Sequence, residues 1–177
     1  MKGTKAASRY AQALLDLSIE QNQLEQVYAD MITFAQAVKE TKEFQLFLNN
    51  PVINSSKKKD VLTAVFPDFT QLTSSFIALV TANRRENLLP FIAASFIEQY
   101  KAHKGIVEVT VLTASRLDDT VREQILAKIK PSIQGDIELR EEIDPELIGG
   151  FVVEMGDVRI DASVSSQLNN LKQRLTR

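Results

Sequence analysis

The sequence has no cysteine, no tryptophan and a single histidine, His103. The missing cysteine excludes disulfides, thiolate metal sites and cysteine nucleophiles together, and it fits a cytoplasmic compartment. Any histidine-based triad or metal site has to rest on His103. That residue lies in the charged run Lys101-Ala102-His103-Lys104, at an expected helix end, where a cation complements the helix dipole. We read it as a solvated cation rather than a catalytic base. Long apolar runs are also missing, and none approaches the length of a membrane span. Met1-Lys2-Gly3-Thr4-Lys5 carries charge, but no apolar h-region follows it, so no signal peptide is expected. Nor does one sign of charge dominate. A formal net charge of −2 provides no global field for nucleic acid or an anionic membrane.

What is present is ordinary globular material, with 44% hydrophobic and 25% charged residues in a chain of 177. That length accommodates one domain with a sizeable core, or two small ones.

Up to about Lys104 the periodicity is helical throughout. A first helix is expected from Thr4 to Glu20, with Tyr10, Leu14 and Leu17 on one face and four alanines (Ala6, Ala7, Ala11, Ala13) keeping it slim. After the polar break Gln21-Asn22-Gln23, a second helix carries Leu24, Val27, Met31, Phe34 and Val38 in three-four alternation. A short third helix holds Phe44, Phe47 and Leu48 and ends at Asn49-Asn50-Pro51. Asn54-Ser55-Ser56 offers caps for a fourth, with Val61, Leu62 and Val65 as its apolar residues and Pro67 as its stop. The fifth starts near Thr70 and buries Leu72, Phe76, Leu79 and Val80. The polar turn Asn83-Arg84-Arg85-Glu86 leads to a sixth, capped by Asn87, with Pro90 in its first turn and Phe91, Phe96 and Tyr100 as its bulk. Lys104-Gly105 is a stop signal.

The period changes at Gly105. Val107, Val109 and Val111 alternate with polar residues, as in a strand. Asp118 is placed to cap a helix with Val121, Ile125 and Ile129, ended by Pro131. Ile137, Leu139 and Ile143 alternate again. Phe151–Met155, Gly156-Asp157 and Val158–Ile160 predict a hairpin. A final helix from about Ser163 has Val164, Leu168, Leu171 and Leu175 in one stripe. The expectation is an all-α N-terminal domain of six helices, residues 1–104, and a small α+β domain, residues 105–177.

Few residues carry chemistry. Gly149-Gly150 lacks the lysine of a P-loop and the spacing of a dinucleotide fingerprint, and predicts a backbone turn. Lys57-Lys58-Lys59 is the one basic cluster. With no aromatic residues interleaved, we read it as a solvated face, and Arg84-Arg85 as a polar turn. Asp118-Asp119 suits a helix start and Glu141-Glu142 an exposed strand edge. No metal, cofactor or catalytic site is expected. The alanine-rich first helix and the terminal leucine stripe are both suited to helix-in-groove binding, which makes this an adaptor or scaffold.

Beyond that point a resemblance takes over. The run Glu146-Leu147-Ile148-Gly149-Gly150-Phe151-Val152-Val153-Glu154-Met155-Gly156-Asp157-Val158-Arg159-Ile160-Asp161-Ala162-Ser163-Val164, continuing to Leu168 and Leu171, resembles the C-terminal signature of the F-type ATP synthase δ subunits. The mitochondrial counterpart of that family is the oligomycin-sensitivity-conferring protein. Arg9-Tyr10-Ala11-Gln12-Ala13-Leu14-Leu15 resembles the family's opening helix, and Asn83 to Pro90 its turn between helices five and six. One departure is Ala162, where the family usually has glycine. Alanine serves there if φ is negative.

The resemblance implies a six-helix N-terminal bundle that binds the N-terminal helices of the α subunits, and a C-terminal domain that binds the C-terminal region of the b subunits. It implies a non-catalytic stator, peripheral on the cytoplasmic face of the inner membrane and touching the membrane only through the stalk. Carried over by position, the groove between helices one and five is expected at Tyr10, Ala13, Leu14, Phe76, Leu79 and Val80, and the b-subunit contact at Leu168, Leu171 and Leu175. The alternative is a helical nucleic-acid module using Lys57-Lys58-Lys59, which predicts steep loss of affinity with salt.

Overall fold

The computed structural model describes residues 2–114, 122, 126, 135–145, 147–156 and 158–175. The chain forms two compact units, Met1–Tyr100 and Lys101–Arg177.

Among the described residues the first part of the chain is helical: α1 Lys2–Glu20, α2 Leu24–Glu40, α3 Lys42–Asn49, α4 Ser55–Val65, α5 Gln71–Ala82, a 3-10 turn Glu86–Leu88 and α6 Leu89–Lys104. The breaks have local causes. Asn22 adopts φ +55°. The N–H groups of Asn22 and Gln23 donate to the carbonyls of Ile19 and Ser18 at 3.1 and 2.9 Å, which closes α1 as a Schellman cap. The same motif closes α5. Arg84 takes φ +55°, and the N–H groups of Arg84 and Arg85 donate to Thr81 and Val80 at 2.9 and 3.1 Å. Asn50, before Pro51, is extended at φ −74° and ψ 116°, because the proline ring excludes the α region there.

The α2 seam is inside as its spacing predicts, with Val27, Met31, Phe34 and Val38 all buried. Phe34 meets Phe44 and Phe66 at centroid distances of 5.7 and 5.6 Å, and Phe66 stacks on Phe69 at 4.5 Å. Tyr100 stacks on Tyr28 at 3.7 Å and donates its hydroxyl to Glu25 Oε2 at 2.5 Å. Burial, then that hydrogen bond, pushes the Tyr100 phenol up to about 12.

Several expectations fail here. Val61 and Val65 are exposed, and α4 instead buries Leu62 and Lys58, one helical turn apart. Asn54 makes no side-chain cap hydrogen bond. Asn87 lies inside the 3-10 turn, so α6 starts at Leu89. Phe91 and Leu17 face out.

In the second unit the described elements are β1 Ile106–Thr113, β2 Asp136–Ile143, β3 Phe151–Met155, β4 Val158–Asp161 and α7 Val164–Leu175. The sheet order is β2-β1-β3-β4. β1 pairs with β2 in parallel and with β3 antiparallel, and β3 pairs with β4 antiparallel. Alternation places Val109, Val111 and Val153 in a buried cluster, with Val107, Ile137, Leu139, Phe151 and Met155 around it. Gly105 takes φ +69° between α6 and β1, and Gly156 takes φ +55° at the β3–β4 turn, where a side chain costs energy. The helix expected from Asp118 with Val121, Ile125 and Ile129 falls outside the described residues.

Gly149-Gly150 is a backbone device. Gly150 has φ +79°, and a Cβ there lies 2.5 Å from the Ala162 carbonyl oxygen. The Gly149 carbonyl accepts from Val164 N–H at 3.0 Å, and Ala162 N–H donates to Phe151 O at 3.0 Å. Ala162 has an ordinary negative φ, so the departure from glycine costs no strain. Ser163 Oγ accepts from Ser166 N–H at 3.2 Å and caps α7. Asp161 accepts from Ser163 N–H at 2.8 Å and from Ser166 Oγ at 2.7 Å. Those hydrogen bonds hold its carboxyl down at about 2.

Candidate functional site

Chemistry has little to work with among the described residues. They contain no group of three or more histidine, cysteine, aspartate or glutamate side chains able to hold a metal. A pocket beside α4 and α5, lined by Lys59, Leu62, Phe66, Phe69 and Ile77, offers about 10 Å³, room for one water. His103 is exposed at the end of α6.

The candidate site is a face. Tyr10 on α1 meets Phe76 on α5 edge to face, centroids 6.3 Å apart at 73°. Arg85, just past α5, donates from Nη1 to Tyr10 Oη at 3.2 Å, and its guanidinium carbon lies 5.8 Å from the Tyr10 ring centroid. These contacts bring α1 and α5 together.

The six residues expected in this groove divide by burial. Leu14 and Val80 are fully buried. They pack the core and are not available to a partner, which corrects the expectation for both. Phe76 is buried and Tyr10 half-buried, so they form the floor. Leu79, 54% exposed, and Ala13 present themselves to solvent. The outward stripe of α1 runs Ala6, Tyr10, Ala13, Leu17, and that of α5 runs Leu72, Ser75, Leu79, Ala82. Both step by three and four residues, so each is a single helix face. Leu17, Leu72, Ser75 and Arg85 were missed by sequence reasoning. The available signal was a periodicity in phase with Tyr10 and Leu79 rather than with Leu14 and Val80.

Buried polar groups hold α5 in place. Asp30 on α2 accepts from Thr70 N–H at 3.0 Å and from Thr70 Oγ1 at 2.8 Å, through one carboxylate oxygen. Thr70 Oγ1 in turn accepts from Thr73 N–H at 3.2 Å and caps α5. Beyond the other end of α5, Lys58 Nζ donates to Glu86 Oε1 at 2.5 Å and to the Leu48 carbonyl at 2.9 Å. Lys58 is 1% exposed, so the middle residue of the basic run is no part of a solvated face. Only Lys57 and Lys59 remain outside, which halts any reading of the triplet as a nucleic-acid stripe.

In the second unit Leu168 is 59% exposed, in line with Val164 one turn earlier. Leu171 and Leu175 lie within α7, and their side chains are outside the described residues.

Comparison with known proteins gives the family. The family model described as ATP synthase delta (OSCP) subunit matches residues 6–175. The chain is 35% identical to ATP synthase subunit delta of Christiangramia forsetii, covering 99% of this chain and 95% of that protein. It is 38% identical to ATP synthase subunit delta of Parabacteroides distasonis, covering 94% and 93%. Among solved structures, a chain of the Toxoplasma gondii mitochondrial ATP synthase hexamer is similar with a TM-score of 0.73 and 26% identity, over 97% of both chains.

Proposed function

Because the chain belongs to the ATP synthase delta (OSCP) subunit family, we propose that its two parts hold different members of that complex. The family is the structural, peripheral-stalk subunit of F-type ATP synthase and not a catalytic one. Residues 1–104 act as a six-helix bundle that binds the N-terminal helices of the α subunits through the α1–α5 face. Residues 105–177 bind the C-terminal region of the b subunits through α7 and the β3–β4 hairpin. No described helix is long and apolar enough to cross a membrane. In this reading the membrane link runs through the stalk, on the cytoplasmic face, and the protein resists rotor torque between its two attachments.

The observation that carries this reading is the exposed Ala13 and Leu17 beside Ser75 and Leu79, with half-buried Leu72 at the edge and the Tyr10–Phe76 contact as the floor. Small residues on α1 let a third helix approach closely, and exposed leucines supply anchors. Titrating a synthetic α-subunit N-terminal peptide against the full chain tests it. Micromolar or tighter binding with a shallow salt dependence is the expected result. Leu79→Asp weakens binding by about tenfold or more, roughly 1.4 kcal/mol, and leaves the helical circular dichroism intact because Leu79 is outside the core. Unchanged binding by Leu79→Asp sinks the α1–α5 assignment.

A further inference from the structure

The docking face depends on where α5 sits, and α5 is gripped just beyond both ends by charged groups from other helices. At its start Asp30 of α2 holds both the N–H and the hydroxyl of Thr70. Past its finish Lys58 of α4 holds Glu86 and the penultimate carbonyl of α3, at Leu48. The adjacent Arg85 reaches the other way, to Tyr10 on α1. The turn after α5 is therefore a junction between α1 on one side and α3 and α4 on the other.

The chemistry of the Lys58–Glu86 pair argues against stability as its main purpose. Desolvating two charges opposes their attraction, and a well-packed apolar pair of the same volume commonly does as well or better. The pair is not even fully satisfied. Glu86 Oε2 is buried without a hydrogen-bond partner among the described residues, which costs energy. What an ion pair gives that an apolar pair does not is direction: Nζ has to sit on both Glu86 Oε1 and Leu48 O. Asp30 works the same way, since one oxygen accepts two hydrogen bonds from a single residue at the mouth of α5.

We propose that Asp30 and the Lys58–Glu86 pair are positioning residues for the α1–α5 docking face, clamping α5 at both ends so that a partner helix meets a groove already at its binding width. This rests on the docking reading above and names what presets that site. A preset groove shows itself in kinetics. When the competent conformation becomes a minor one, apparent affinity falls by its population. That loss lies in association, because a complex once formed is the same complex.

The test is surface-immobilised binding of the full chain to the synthetic α-subunit N-terminal peptide, well below the melting temperature, with both rate constants read. Asp30→Ala and the double variant Lys58→Met/Glu86→Leu are each expected to lower the association rate by about tenfold, the effect of a competent fraction near one tenth. Dissociation stays within about twofold of wild type. Asp30→Asn, whose amide oxygen still accepts from Thr70, restores the wild-type association rate. Should the double variant fail to fold, Thr70→Val, which removes one hydroxyl and keeps the N–H, reads the same rate at the other end. Wild-type association by folded Asp30→Ala and Lys58→Met/Glu86→Leu overturns the clamp, as does a change confined to dissociation. Leu79→Asp separates the two ideas: a variant that still binds unchanged overturns the docking face itself, and the clamp with it.

Discussion

In the helical unit the side chain of Lys58 is 1% exposed and that of its partner Glu86 11%. In the α/β unit the described ion pairs are more open: Glu108 and Glu138 around Lys101, itself 16% exposed, are 40% and 53% exposed, Arg122 with Glu141 43% and 23%, and Arg159 with Glu154 64% and 43%. One unit places charge between helices and the other spreads it over a sheet. Helices touch through side chains alone, so nothing in a backbone ladder fixes their spacing, and buried polar contacts supply it. Strand spacing is fixed by the ladder itself. The surface charges of the sheet are then free of that duty.

The sharpest way to break this contrast is to remove one cation from each unit. Lys58→Met leaves the Glu86 carboxylate buried alone, and is expected to lower the unfolding free energy by about 3–5 kcal/mol in urea titration. Lys101→Met removes two ion pairs whose carboxylates are open to solvent and is expected to cost about 1 kcal/mol. Equal costs erase the distinction. Between them in size lies a backbone effect specific to the α/β unit. Gly150→Ala adds a Cβ 2.5 Å from Ala162 O at φ +79°, and is expected to cost about 1–3 kcal/mol, seen as a lower melting temperature.

Acid sharpens the comparison further. The hydrogen bond from Lys101 holds the Glu108 carboxyl below its ordinary range, against opposing burial. A depressed carboxylate contributes stability that is complete above its unfolded pKa and lost as pH falls through the folded one. Burial pulls Lys101 down, but its hydrogen bonds to Glu108 and Glu138 outweigh that and leave it raised. Its share is therefore present at neutral pH and lost only in strong base. Amide exchange in β1 and β2 is expected to quicken on the acid side of the ordinary carboxylate range. Unchanged protection there removes the pair from the stability of the sheet. The smallest effect is a gain: Arg84→Gly relieves a side chain at φ +55° and is expected to raise stability by about 0.5 kcal/mol.

Periodicity was enough for the α2 seam, for the strand alternation after Gly105 and for the Thr70 start of α5, because each is written in residues close together in the chain. It was not enough for Lys58, whose partner lies 28 residues away. The middle lysine of three looks the same whether it faces in or out. On α1 and α5, Leu14 and Val80 carry the same apolar signal as Ala13 and Leu79, one residue earlier. Which of each pair faces the core is decided by neighbouring helices. The same holds for Val61 and Val65, displaced to the surface by the inward turn of Lys58 and Leu62.

The place of β1 in the sheet has a mechanical consequence. It follows α6 through a single residue, Gly105, and is one of the two inner strands, matched to β2 over eight positions from Ile106↔Asp136 to Thr113↔Ile143. A pull carried along the extended chain of β1 acts along the axis of that strand. The ladder hydrogen bonds lie across that axis, so they are sheared together rather than peeled one at a time. With a ladder on each flank, β1 shares such a load between β2 and β3, whereas β4, at the edge, has β3 alone.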